Sequence, residues 1–321
     1  MSPMPERLQP TVAAIYGAYE AAGNKPYITP RIGAAEAGTE CDRAIWYGYR
    51  WTTVRVFSGR MLRLFQTGHI EEARMVKDLR SAGVEVDDGI LNEETGRIKQ
   101  HEFTDDTGHI VCRIDAALLG LHEAPKAWHL GEFKTHNDKS FKMLVKTDDV
   151  SSKVKHVAQV QLGMHFTGME RGFYMARNKD TDALWSYRFH YDATYCIKLV
   201  VRLQGIIKAQ RPPPKISENP TFFKCKFCDH RNACHGITVP ARSCRTCIHS
   251  TPMDGAQWHC AVHDMMLDRD QQRIGCAAHL YIPELIHGKQ VAVRQPDDAL
   301  ATISYLMPDG SEWIDNGEDE A

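Results

Sequence analysis

A chain of 321 residues, with 43% hydrophobic and 25% charged side chains and a formal net charge of −2, has the composition of an ordinary soluble globular protein. The length exceeds one small domain, and the near-neutral balance excludes indiscriminate coating of nucleic acid while leaving room for local basic patches. No apolar stretch approaches the roughly 18 residues of a membrane span and residues 1–31 lack a signal-peptide layout, so a cytoplasmic protein without a membrane partner is expected, in which ten cysteines point to metal rather than disulfides.

In chain order, residues 10–23 read as a helix ended by Gly23. Cys41 opens a second helix that packs through Ile45, Trp46 and Tyr49. Residues 60–82 form a long helical pattern in which His69 and Glu72, three apart, share a face. Short strands are expected at 84–86 and 96–103.

The apolar run 110–119 carries Asp115, and 120–126, with Gly120 and Pro125, reads as a turn into a further strand at 129–135. In that strand Glu132 and Lys134 point to one side while Leu130 and Phe133 serve packing. Asp115, Glu132 and Lys134 are then expected to converge on one sheet edge. Carboxylate oxygens suit Mg²⁺ or Mn²⁺, and a lysine beside such an ion can position a water or offset charge developing on a phosphodiester. Taken alone, a Glu-x-Lys run is far more often an ordinary surface ion pair, and only its company changes that reading.

Lysines 139, 142, 146, 153 and 155 within 137–155 suggest either a solvated loop or a DNA-backbone contact. A helix over 152–167 carries Gln159, followed by strands at 172–177 and 183–190, a helix to about 210, and a stiff link at 211–215. The pattern is α/β with a mixed sheet.

Cys225, Cys228 and Cys234 supply three thiols that need a fourth ligand. Spacing alone permits zinc with Cys41, His230 or His235. Cys244, Cys247 and Cys260, completed by Cys276 or His263, read as a closed structural zinc site in a module too poor in apolar residues to fold unaided. Cys112 and Cys196 are expected in the core. Residues 303–314 read as a β-hairpin turning at Pro308-Asp309-Gly310, and 315–320 as a frayed acidic tail.

Asp115, Glu132-Phe133-Lys134 and the helix bearing Gln159 together resemble the PD-(D/E)xK nuclease superfamily in its RecB-type branch, over roughly residues 41–235. The resemblance implies a restriction-endonuclease-like mixed-sheet core flanked by helices. It implies that the Phe133 carbonyl joins Asp115 and Glu132 on the metal, with Glu72 or His69 completing the shell, and that Gln159 orients a ligand or holds DNA. The tyrosine that usually follows this glutamine by four residues is Gly163 here.

Cys41, Arg43 and Tyr47 match the C-x-R-x3-Y setting of the iron–sulfur members, which include the AddB nuclease domain and CRISPR-associated adaptation exonucleases. That likeness implies a structural [4Fe-4S] cluster on Cys41, Cys225, Cys228 and Cys234. The implied organisation is a helical segment (1–40), a nuclease domain (41–240), a zinc module (241–285), and a hairpin with its tail (286–321). The implied activity is metal-dependent DNA exonuclease for end resection in phage-type recombination or repair, working with a recombination or replication partner protein. The alternative is a non-catalytic DNA- or protein-binding module of the same fold, with the zinc-stapled half as an interaction adaptor.

Overall fold

The structure, a computed structural model, describes residues 9–23, 29–296 and 300–317. Helix α1 (Pro10–Gly23) lies across the longer α3 (Gly59–Ser81), whose Gly59 comes so close that any side chain there would collide with the Tyr16 carbonyl. Between them come strand β1 (Ile32–Gly33), a 3-10 turn (Ala34–Gly38) and α2 (Asp42–Tyr49). Helix α3 (Gly59–Ser81) starts where the Ser58 side chain accepts from the Met61 amide. Short strands follow: β2 (Glu85–Asp87), β3 (Ile90–Asn92), β4 (Arg97–Lys99), β5 (Glu102–Thr104), β6 (Ile110–Arg113) and β7 (Ala116–Leu119). The long strand β8 (His129–His136) leads through α4 (Asp138–Thr147) and α5 (Val154–Thr167) to β9 (Arg171–Asn178), β10 (Leu184–His190) and α6 (Ala193–Lys208).

The main sheet has the order β10-β9-β8-β7-β2, with β8 and β9 parallel and the other pairs antiparallel. A parallel neighbour requires a crossover, and α4 with α5 supplies it. Strand β8 is therefore interior to the sheet. Strand β7 pairs with β8 only at 129–131, so Glu132 and Lys134 lie on the stretch paired with β9 alone, past the end of the β7 ladder, where Asp115 meets them as the expected convergence requires.

The run 110–119 is not one strand either. Strand β6 belongs to a second sheet, β1-β6-β5, and the chain bends at Ile114 and Asp115 before β7 joins the main sheet. The lysine-rich span after β8 is only in part a loop: Lys139, Lys142 and Lys146 lie on α4 and Lys155 on α5, with Lys153 in the connection between them. Asn137 caps α4 by accepting from the Ser140 amide at 2.9 Å, and Phe141 and Leu144, three apart, are buried.

Side-chain alternation divides the core at the main sheet. Phe133, Phe173 and Met175 pack under α3 with Met75, Val76 and Leu79. Leu130, Tyr174 and Ala176 face the opposite way, onto a cluster built by α2, α5 and α6.

That second cluster continues into the cysteine-rich half, taking in Trp258, Leu280, Leu285, Ile303 and Tyr305. This half holds the short helices α7 (Phe223–Lys226) and α8 (Arg231–Cys234), a small sheet of β11 (Ser250–Met253), β12 (Gln257–Cys260) and β13 (Met265–Met266), and α9 (Arg269–Arg273). The hairpin at 303–314 is present as β15 (Thr302–Leu306) and β16 (Glu312–Asp315), with β14 (Lys289–Arg294) added as a third strand. Asp315 does not fray: it is buried and accepts from the Tyr281 amide at 2.6 Å. Glu318, Asp319 and Glu320 lie outside the described residues.

Candidate active site

The bend between β6 and β7 places Asp115 beside the middle of β8. Ala116 is in register with Gly131, and one step further along the ladder Asp115 Oδ2 accepts from the Phe133 amide at 2.8 Å. Asp115 Oδ1 accepts from Gln100 Nε2 at 3.0 Å, and the same nitrogen donates to Glu72 Oε1 at 2.8 Å. Glu132, 1% exposed, forms an ion pair with Lys134 on its own face of β8. Three carboxylates from α3, the 114–115 bend and β8 thus surround one ammonium and one amide.

The electrostatics follow from that imbalance. Burial, with repulsion from Asp115 and Glu72, pushes the Glu132 carboxyl up to about 8 against the pull of Lys134. Burial and Asp115 push Glu72 up to about 7, although Gln100 partly relieves it. Burial opposes the charge on Lys134, but Glu132, Asp115 and Glu72 together outweigh it and hold the ammonium above its usual range. Hard oxygen donors in surplus over cations are the chemistry that a divalent ion such as Mg²⁺ or Mn²⁺ satisfies. The donor set fits such an ion, and the Phe133 carbonyl lies between the two β8 side chains. Among the described residues no three acidic, histidine or cysteine side chains already close around one point; Gln100 and Lys134 are interleaved with the carboxylates instead.

This cluster opens into a cleft of about 790 Å³ walled by α1, α3 and β8, with Glu72, Phe133 and Lys134 in its lining. His69 lines the same cleft one turn earlier, but Glu72 is the α3 residue tied to Asp115, through Gln100. Gln159 lies half-buried on α5, where its backbone carbonyl accepts from the Cys112 thiol at 3.9 Å. At Gly163 a Cβ would come 2.5 Å from Leu130 Cδ1 and 3.3 Å from Cys112 Sγ, so close helix-to-sheet packing leaves no room for the tyrosine of the resembling pattern.

Sequence reasoning missed two features. Gln100, the bridge between Glu72 and Asp115, carried no signal at all. The other is a buried polar chain behind Lys134: Tyr174 Oη lies 2.8 Å from both His136 Nε2 and His156 Nδ1, and His136 Nδ1 lies 2.9 Å from Ser140 Oγ, which accepts from Lys153 Nζ at 2.8 Å. Alternation could have found His136, two positions beyond Lys134 on the same face.

The two cysteine sets also meet. Cys41, Cys225, Cys228 and Cys234 line one cavity of about 340 Å³. Burial raises the last three thiols, and the Cys41 sulfur adds to each. Arg43 bonds the Cys234 thiol, stacks 5.8 Å from the Tyr47 ring, and donates to the Pro213 carbonyl at 2.6 Å. Cys244, Cys247, Cys260 and Cys276 line a second, small cavity with His249 and His279. There burial and the other three sulfurs push the Cys244 thiol up to about 12. Both candidates for the fourth ligand are present, with Cys276 Sγ 3.5 Å from His263 Nε2. Four soft sulfur donors line each space, the donor type a thiophilic metal group takes, although among the described residues no three of them close around a single point.

No protein-family model matches the chain, and no curated protein matches it. Among solved structures the chain is similar to the alkaline exonuclease LHK-Exo of Laribacter hongkongensis, at 13% identity and a TM-score of 0.38, covering 60% of this chain and 90% of that one. The same protein in complex with dAMP gives a TM-score of 0.39 at 13% identity over the same shares. SSO0001 is similar at 14% identity and a TM-score of 0.36, covering 70% of this chain and 96% of that one.

Proposed function

We propose that this chain is a divalent-cation-dependent deoxyribonuclease of the exonuclease kind, serving end resection in recombination or repair. The observation that carries the reading is the surplus of carboxylate around Lys134: Asp115, tied to the Phe133 amide and through Gln100 to Glu72, beside buried Glu132. Asp115, Glu132, the Phe133 carbonyl and Glu72 would hold Mg²⁺ or Mn²⁺, which when bound acidifies a water and polarises a phosphodiester. Gln100 keeps Asp115 and Glu72 turned to the same point. Lys134, held charged by its neighbours, orients the attacking water and offsets negative charge as it develops on the phosphate. Lys179 and Arg55, both in the cleft lining, offer phosphate contacts away from the carboxylates.

In the same reading, Cys41 with Cys225, Cys228 and Cys234 would hold a [4Fe-4S] cluster, and Cys244, Cys247, Cys260 and Cys276 a Zn²⁺. Each would close a chain loop and lower the entropy of the unfolded chain. Lys134→Ala tests the chemistry. Digestion of end-labelled DNA in Mg²⁺ or Mn²⁺ should fall at least about a hundredfold, while the circular dichroism spectrum is retained. Undiminished digestion by the variant overturns the reading.

A further inference from the structure

Short helix α7 and the residues around it carry aromatic and basic side chains in alternation: Phe222, Phe223, Lys224, Lys226 and Phe227. Phe227 is 81% exposed and Phe223 61% exposed, values far from the usual fate of phenylalanine. Phe223 opens the short helix and Phe227 follows its last residue as the C-cap, four positions on. Lys224 lies 5.4 Å from the Phe223 ring centre and Lys226 lies 5.8 Å from that of Phe227. Each exposed ring therefore has an ammonium beside it, that of Lys224 also paired with Glu40.

The surroundings extend this pattern. The cavity that Phe227 edges is lined by Arg43, Arg55, Lys155, Lys215, Lys224 and Arg231 against the acids Glu36, Glu40 and Asp229; Lys155, Lys224 and Arg55 pair with those acids and Lys215 with Glu218, and Arg43 and Arg231 remain as the basic excess, in a chain whose net charge is −2. Arg55 lines both this cavity and the carboxylate cleft, so the two spaces adjoin at one side chain. Exposed rings that accept any base face, set among cations that follow a phosphate backbone, are what unpaired nucleic acid requires.

We infer that the Phe223–Phe227 rim is a binding track for single-stranded DNA, stacking bases on the two rings as a strand runs past Arg55 to or from the cleft. The inference rests on the nuclease reading for the identity of the strand, but binding can be measured without hydrolysis. The experiment uses the full chain, purified without oxygen, carrying Lys134→Ala so that the probe survives. Fluorescence anisotropy with labelled oligothymidylate is compared with a blunt duplex of the same length, for this parent and for Phe223→Ala, Phe227→Ala and the double variant added to it.

Each alanine should weaken oligothymidylate binding about tenfold, leave the duplex nearly unaffected, and be rescued by tyrosine at the same position. Phenylalanine variants that bind like the parent overturn the track while leaving the nuclease reading intact. So does an equal loss for the duplex, or an effect confined to self-association in sedimentation. Conversely, ring-dependent binding by a protein whose Lys134 form digests no DNA keeps the track and removes the nuclease.

Discussion

Lys134 and its three carboxylate neighbours set the local charge problem, and two imidazoles behind them, His136 buried and His156 half-buried, respond to it. Burial and the charges of Lys153, Lys179 and Lys134 lower His136 to about 4. Burial and the charges of Lys134, His136 and Lys153 lower His156 to about 3. Both are neutral in the folded protein, where the Tyr174 hydroxyl bridges them. In the unfolded chain they take up protons near the ordinary histidine value of about 6.5. Because the unfolded state then binds more protons, stability contributed by these groups is present above about 6.5 and is lost as pH falls toward their folded values. Between pH 7 and pH 5, His156 alone should contribute a loss on the order of 2 kcal/mol. Urea midpoints measured across that interval should therefore fall less steeply for His156→Gln than for the parent, and parallel curves would refute the assignment.

At the scale of elements, the position of the carboxylates depends on how closely α5 lies against β8. Gly163 makes that approach possible, because a methyl group there would stand 2.5 Å from Leu130 Cδ1. Gly163→Ala gains helix propensity worth about 1 kcal/mol but forces the helix away from the sheet at a cost of typically 1–3 kcal/mol. A net loss of stability in urea unfolding is expected, accompanied by weaker DNA digestion as β8 shifts. A variant more stable than the parent would show that the contact relaxes freely. The helices and the strands of the main sheet were largely legible from their 3.6- and 2-residue periods, as α3 and β8 illustrate. Helix α4 was not, because its dense lysines hid the short apolar stripe of Phe141 and Leu144 that Asn137 caps.

For the molecule as a whole, the two halves are joined by buried arginines. Arg245, within the Cys244–Cys247 knuckle and 1% exposed, donates to the Tyr49 and Pro30 carbonyls at 3.0 and 2.9 Å and to Gln272 Oε1. Its guanidinium stacks 3.9 Å from the Trp51 ring centre and 4.5 Å from that of Trp258. Arg50 reciprocates by donating to the Arg245 and Ser250 carbonyls at 3.2 and 3.1 Å. Burial pulls these groups down to about 9 for Arg245 and about 10 for Arg50, still above neutral pH, so both stay charged. Removing one strands several buried acceptors and opens a void. Arg245→Ala should cost more than about 3 kcal/mol by denaturant unfolding and should lower DNA digestion even though the cleft lies elsewhere. A cost below about 1 kcal/mol would show that the two halves stand independently.

The sequence by itself singled out the candidate side chains, Asp115, Glu132 and Lys134 and the two sets of thiols, each marked by residue type and spacing along a short stretch. It determined most of the elements too, since a repeat of 2 or 3.6 is a local property of the chain. Only the tertiary structure decided that β8 is interior, that Gln100 joins Glu72 to Asp115, that Tyr174 stands between two histidines, and that both halves share one buried cluster. Those are meetings between segments far apart in sequence, chosen by which surfaces pack together, and no local periodicity encodes them.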